Sequence, residues 1–297
     1  MNNIKEYFTI RDLENISGIK AHTIRIWEKR YNLLSPERTE TNIRYYTHKN
    51  LQKLLNIVLL NNNNYKISKI AKMTDEVISL NARELAFEKA NFEEAMNSFK
   101  LSMFQFDKIL FNNTYKKLLK EKSFREIFKD IFIPLLEHIG LLWQTETLFP
   151  AHEHFISNLI SQKIQLNTEK IQFENIFSDI TYVLFLPENE IHELGLLYLN
   201  YELVLRGKKT IYLGQSLPLN NLNYFFQLNQ SICFITSMTV KPYDDKINDY
   251  FNQIDITLKK SNHSLIAIGK KAMNFSNHKF DSQISIYPTV SELLKEL

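Results

Sequence analysis

The sequence predicts a multidomain protein of α and α/β type: an N-terminal winged helix-turn-helix, a middle helical bundle and a C-terminal doubly wound parallel sheet. Three observations predict it. Residues 8–60 read as short helices punctuated by turn residues, and from Glu76 to about Lys170 nearly every stretch carries an apolar stripe of helical period. Past residue 180, short apolar runs alternate with helical stretches. At 297 residues the chain is too long for one ordinary core. The breaks between the three patterns place domains at 1–75, 76–175 and 176–297.

The first domain is legible residue by residue. Thr9 can cap a helix while Asp12, three positions on, completes the reciprocal box, giving a helix from Ile10 to about Ile16. Ser17-Gly18 supplies a tight turn, and a second helix follows from Lys20 to about Tyr31. On it Ile24, Trp27 and Tyr31 share one face, leaving His22, Arg25 and Lys29 on the other for phosphates or base edges. Leu34-Ser35-Pro36 stops that helix, and Glu37 to Thr47 reads as a two-stranded wing decorated by Arg38, Arg44, Tyr45 and Tyr46. Asn61 to Asn64 is expected as a loop and Tyr65 to Met73 as helix.

Further on, FEEAMNSF, FDKILFNNTYKKLL, FREIFKDIFIPLLEHIGLLW and HEHFISNLISQKI are successive amphipathic stripes, a bundle of four or five helices. Strands are expected at YVLFL, TIYLG, CFITS, LIAIG and ISIYP, with helical patterns from Ile191, Leu219, Asp244 and Thr289. Alternation of this kind makes a parallel sheet, whose ligands sit at the carboxyl ends of the strands. That rule puts YVLFL-PENEIH, LGQSLP, ITSMT and IGKKA on the binding rim.

Composition narrows the classes of function. Residues 1–55 hold ten Lys and Arg against six Asp and Glu, so the basic excess of the chain sits at its front, the footprint of a nucleic-acid-binding head. The 44% hydrophobic and 23% charged content is globular, and no run of about eighteen apolar residues could span a bilayer. The opening MNNIKEYFTI carries no secretion signal, so a bacterial cytoplasmic location is expected. A single cysteine, Cys233, excludes an intramolecular disulfide framework and thiolate metal clusters. No catalytic residue is assigned, and no enzyme is expected.

Two resemblances sharpen this reading. Phe8-Thr9-Ile10, Ser17-Gly18-Ile19, Thr23-Ile24-Arg25-Ile26-Trp27-Glu28, Arg30-Tyr31, Leu33-Leu34-Ser35-Pro36, Arg38 and Arg44-Tyr45-Tyr46 resemble the DNA-binding domain of the MerR family of bacterial transcription regulators. The wing departs in one place: Asn42-Ile43 stands where the family has a glycine before the aromatic and arginine residues, and asparagine also accepts a left-handed turn. The resemblance implies a regulator whose double-stranded promoter DNA is met by His22, Thr23, Arg25, Lys29, Arg30, Arg38, Arg44, Tyr45 and Tyr46. It further implies a homo-oligomer, dimer or tetramer, with RNA polymerase as a candidate second partner.

The remainder resembles the cobalamin-binding half of light-sensing MerR repressors and of methionine synthase, where a helical bundle caps the cofactor above a flavodoxin-like domain. Trp143, nine residues, then Glu153-His154 matches the bundle motif that encloses the adenosyl group; Glu190-Ile191-His192-Glu193-Leu194-Gly195 matches the sheet motif whose histidine ligates cobalt from below. Gly214, Ser237 and Gly269 align with stretches lining the nucleotide tail. The resemblance therefore implies a cobalamin, adenosylcobalamin in the first place, held by Trp143, Glu153, His154, Glu190, His192, Gly195, Gly214, Ser237 and Gly269, with His192 as the metal ligand. Three departures bear on it: Glu190 replaces the family's aspartate, Lys270 replaces the second glycine of a pair, and Gln144 stands where light sensors have a histidine. Two other readings stay open: a cofactor-free interaction domain behind the same DNA-binding head, and a corrinoid-carrier component of a methyltransferase.

Overall fold

The computed structural model describes residues 7–88, 92–144, 148–171, 179–228, 230–243, 245–259 and 261–297, without the side chains of residues 83–88, 92, 141, 143 and 144. They form two compact units, Met1–Leu159 and Ile160–Leu297.

The first unit opens with β1 (Tyr7–Phe8), α1 (Ile10–Ser17), α2 (Ala21–Tyr31) and the wing strands β2 (Glu37–Arg38) and β3 (Arg44–Thr47), which join in an antiparallel sheet of order β1-β3-β2. Thr9 caps α1 as expected: its hydroxyl accepts from the Asp12 N–H at 3.2 Å, and the Asp12 carboxylate accepts from the Thr9 N–H at 2.7 Å. Gly18 turns out of α1 at φ 74°, and Asn42 makes the wing turn at φ 64°, so the asparagine does supply the left-handed residue.

Helix α3 (His48–Asn62) runs two residues into the stretch expected as a loop; the chain turns at Asn64, φ 66°, and the helix expected after it shrinks to α4 (Ile67–Ile70). The reason is burial. Leu51, Leu54, Leu55, Ile57, Val58, Leu59 and Leu60 are all in the core, and packing against α5 (Asp75–Glu88) and α6 (Phe92–Gln105) carries α3 past its weak helix formers.

Helices α7 (Lys108–Leu118), α8 (Phe124–Ile127), α9 (Ile133–Gln144) and α10 (Pro150–Ile171) follow, α10 crossing the division between the units. The phenylalanine stripes are core: Phe99 lies 4.9 Å from Phe111 and 5.4 Å from Phe132, ring centre to ring centre. Between α8 and α9 one π turn spans Phe128–Phe132, where the Ile133 N–H donates to the Phe128 carbonyl. Pro134 explains it, since a residue without an N–H cannot continue the α pattern and the preceding turn widens.

Within this unit the N-terminal helix-turn-helix is fastened to the bundle. Lys100 of α6 points its ammonium at the Ile16 carbonyl, 3.5 Å away, at the carboxyl end of α1; Gln52 of α3 donates to the Phe104 carbonyl at 3.4 Å. Burial lowers the Lys100 ammonium to about 8.

The second unit is a five-stranded parallel sheet of β4 (Ile180–Pro187), β5 (Lys209–Leu217), β6 (Ser231–Ser237), β7 (Ser264–Ile268) and β8 (Gln283–Tyr287) in order β5-β4-β6-β7-β8, the flavodoxin-like arrangement. One face packs on α12 (Ile247–Leu258) through Val183, Phe185, Phe234, Phe251 and Ile254. The other packs on α11 (Leu194–Leu205) and α13 (Val290–Glu296) through Leu184, Leu196, Ile235 and Leu293. All five expected strands form. The helical pattern from Leu219 is instead a 3₁₀ helix, Leu219–Gln227, in keeping with its three asparagines and two phenylalanines, poor helix formers behind Pro218.

Candidate functional site

Helix α2 buries Ile24 and Trp27 and turns His22, Arg25, Ile26, Lys29 and Arg30 outward, with Thr23 half-buried beside them. The Thr23 hydroxyl lies 3.3 Å from His22 Nε2, and the Arg30 guanidinium stands 5.4 Å above the Tyr31 ring. The wing divides the remaining candidates. Arg38 donates to Asn42 Oδ1 at 2.6 Å and braces the wing turn from outside. Tyr45 reaches Glu37 with its hydroxyl at 2.7 Å and meets the Tyr7 ring edge-on at 4.6 Å, half-exposed.

Tyr46 is different: it is fully buried, and its hydroxyl donates to Glu28 of α2. Strand alternation sends neighbours 45 and 46 to opposite faces, and the 46 face is the core, so the assignment of Tyr46 to DNA is corrected to a structural one. Burial, then the Glu28 carboxylate, pushes its hydroxyl pKa upward. Arg44 Nε sits 3.7 Å from the same carboxylate, which orients its guanidinium at the wing.

In the first turn of α10, Glu153 accepts from the Ser157 hydroxyl at 2.6 Å and lies 2.7 Å from His154 Nδ1. His154 is exposed, whereas the Trp143 and Gln144 side chains lie outside the described residues. His152, one residue before Glu153, is 4% exposed and boxed by aromatic rings: Phe106 at 4.7 Å, Phe104 at 5.2 Å, and His48 and Phe149 at 5.6 Å. Its Nδ1 has no hydrogen-bond partner among the described residues, and burial lowers its pKa to about 4.

The sheet unit gathers Glu190, His192, Gly195, Gly214, Ser237 and Gly269 at the carboxyl end of its strands. Glu190 is wholly buried, and its two oxygens divide the work. Oε1 lies 2.5 Å from His192 Nδ1 and accepts from the Ile191 and His192 backbone amides at 2.9 and 3.1 Å. Oε2 accepts from the amides of Thr239, Val240 and Lys241 at 3.2, 2.6 and 2.8 Å, residues on the loop after β6. Burial raises the Glu190 pKa, but these bonds outweigh it and hold the group below the ordinary carboxylate range. Ser216, near the end of β5, ties that strand to the loop after β4: its N–H donates to the Glu190 carbonyl at 3.2 Å and its hydroxyl accepts from the Asn189 N–H at 3.0 Å.

The imidazole of His192 is therefore held through Nδ1, with about half its side chain exposed and Nε2 on the far side of the ring. A carboxylate on one imidazole nitrogen is the partner that a metal-ligating histidine carries, so the Glu190–His192 pair fits a corrinoid cobalt. Gly195 starts α11 where an added Cβ would stand 3.9 Å from Val290 Cγ2, and Gly214, φ 82°, marks the register slip where β5 meets Phe185. Ser237 closes β6 opposite Ile268. Gly269 has a packing duty of its own: at φ 123°, its Cβ would fall 2.4 Å from the Met238 carbonyl oxygen. Lys270 beside it is exposed. A cleft of about 710 Å³ opens on the same rim, between Asn189, Pro218, Lys241, Tyr243 and Tyr250.

Three contributors escaped sequence reasoning. The 239–241 amides carry no residue-type signal. Lys100 stands out as a lysine inside an apolar stripe, and Ile26 as an apolar residue on the basic face of α2. Among the described residues no helix is long and apolar enough to cross a membrane.

Comparison with known proteins agrees with both halves. Residues 8–77 match the MerR HTH family regulatory protein model and residues 95–166 the B12 binding domain model. The chain is similar to the HTH-type transcriptional repressor CarH of Myxococcus xanthus, 25% identical over 221 residues, covering 72% of this chain and 73% of that one. In fold it is similar to the monomethylamine corrinoid protein of Methanosarcina barkeri, TM-score 0.57 at 12% identity, covering 69% of this chain and 98% of that one. A MerR-type helix-turn-helix at the front and a B12 binding domain behind it make this chain a DNA-binding regulator whose C-terminal half senses a cobalamin.

Proposed function

We propose that the protein is an adenosylcobalamin-responsive homo-oligomer that controls transcription from a near-palindromic promoter site. One small head makes too few contacts for tight specific binding, and two-fold proteins pair with two-fold sites. DNA meets His22, Arg25, Lys29 and Arg30 on α2 and Arg38, Arg44 and Tyr45 on the wing, RNA polymerase being a second partner at the promoter. Bound to the B12 domain, the corrinoid supplies a cobalt centre able to take an imidazole nitrogen. His192 would present that nitrogen, Glu190 would fix its ring and Gly195, Gly214, Ser237 and Gly269 would line the tail, while Trp143, Glu153 and His154 are the bundle residues that would contact the adenosyl group.

The observation that carries the reading is the Glu190–His192 pair, 2.5 Å apart and anchored to a second loop by the Val240 amide. Occupancy then biases oligomeric state, and with it DNA affinity, through differential contacts in the two states.

The test is direct. Protein mixed with excess adenosylcobalamin and desalted should emerge coloured, and His192→Ala should lose the histidine-ligated spectrum. A colourless wild-type eluate overturns the cofactor reading in favour of a cofactor-free regulator.

A further inference from the structure

The outward face of α2 holds one residue that its charge does not explain. Ile26 is 49% exposed, two positions on from buried Ile24 and so about 200° round the helix from it. That puts it on the outward half of the helix, about 40° from His22 and about 100° from buried Trp27. His22 and Lys29 flank it on one side and Arg30 on the other, all exposed, with Arg25 adjacent. About half of that isoleucine is left in water, a poor neighbour for it.

A protein partner is an unsuitable cover. Seating Ile26 in an apolar socket would desolvate the cations around it, and charged residues are depleted at the cores of protein interfaces for that reason. Duplex DNA suits both parts of the surface. Phosphates on either side of the major groove take the cations, and the groove floor offers one apolar group that distinguishes a base, the 5-methyl of thymine.

We propose that Ile26 is a base-reading residue: its side chain meets the 5-methyl of a thymine in the major groove and sets a thymine preference at one position of each half-site. This rests on α2 being the helix that enters the groove. Arg25, Lys29 and Arg30 supply affinity by charge; Ile26 supplies discrimination by shape, at a base the charged residues do not select.

Replacing thymine by deoxyuracil removes that methyl and leaves pairing unchanged. Full-length protein is used to select a binding duplex from a random pool, and each thymine in it is exchanged for uracil in turn. Wild-type protein should lose about fourfold in affinity, the worth of one buried methyl, at one symmetry-related thymine pair. Ile26→Ala should bind the thymine duplex about fourfold more weakly and show no further loss with uracil. Ile43→Ala, at a still more exposed isoleucine beside the wing turn, should keep the full uracil penalty. The proposal is overturned if no thymine shows a penalty in the wild type, or if the penalty persists in Ile26→Ala. Arg25→Ala separates the two levels. If it weakens binding while no uracil penalty exists, the Ile26 assignment alone falls; if it binds as well as wild type, the choice of α2 face falls as well.

Discussion

His152 lies face to face with Phe106, ring centres 4.7 Å apart and planes 18° from parallel, in a pocket that leaves its Nδ1 without a hydrogen-bond partner among the described residues. Burial lowers the pKa of this imidazole, and of His138 in the bundle, to about 4. Above pH 6.5 both rings are neutral, folded or unfolded, and contribute no pH dependence. As pH falls from 6.5 toward 4, the unfolded chain takes up protons that the folded chain refuses, so stability falls through this window and the loss levels off below it. Urea unfolding at pH 7.5 and pH 5.5 should differ by about 1 to 2 kcal/mol, and His152→Phe should flatten the slope by roughly one proton. A slope unchanged in that variant would remove His152 as its source.

Tyr46 and Tyr45 should respond oppositely to loss of their hydroxyls. Tyr46→Phe strips a hydrogen bond from the buried Glu28 carboxylate and should cost about 1 to 3 kcal/mol in denaturant unfolding. Tyr45→Phe, at a half-exposed position, should cost less than about 0.5 kcal/mol.

Glu190→Gln keeps the shape of the side chain and turns one hydrogen-bond acceptor into a donor facing amides that themselves donate. Cobalamin affinity, followed by visible absorption on titration, should fall about 10- to 100-fold, as for other groups that orient a metal-bound histidine. Glu190→Asp should retain part of the His192 contact and lose reach to Val240 and Lys241. It should bind cobalamin between Glu190→Gln and the wild type.

Two glycines on the rim separate folding from ligand binding. Gly269→Ala places a methyl group 2.4 Å from a backbone oxygen at a positive φ, which neither neighbour can relieve cheaply, and should destabilise the sheet unit by about 3 kcal/mol or more. Gly195→Ala meets only Val290 at 3.9 Å and sits in a helix, where alanine is favoured by about 1 kcal/mol. It should melt no lower than the wild type, while cobalamin binding weakens if the tail passes that point.

The strands and amphipathic helices were legible because their periodicity is a local property of the chain. The motif around His192 was legible for the same reason: Glu190, His192 and Gly195 are neighbours in sequence, and the short bond between the first two needs no distant partner. What closed the site was not. The amides that hold Glu190 lie 49 to 51 residues downstream, and an amide looks alike in every residue. Alternation in the wing shows that one of Tyr45 and Tyr46 is inside, but both are aromatic, and only the core beneath β3 decides which. His152 reads as polar beside Pro150 until Phe104 and Phe106, nearly fifty positions earlier, arrive to cover it.

Lys100 at the end of α1, Gln52 at the end of α6 and His152 against His48 tie α1 and α3 of the head to the bundle. A head on a slack linker finds a second half-site by searching a volume that grows with the linker's length, and tolerates many operator spacings. A head seated on its bundle arrives where the bundle puts it. In the oligomer we propose, the number of base pairs between half-sites then becomes a ruler laid across the assembly, so that moving one half-site by five base pairs, half a helical turn, would ask the protein to twist its own quaternary arrangement rather than its hinge.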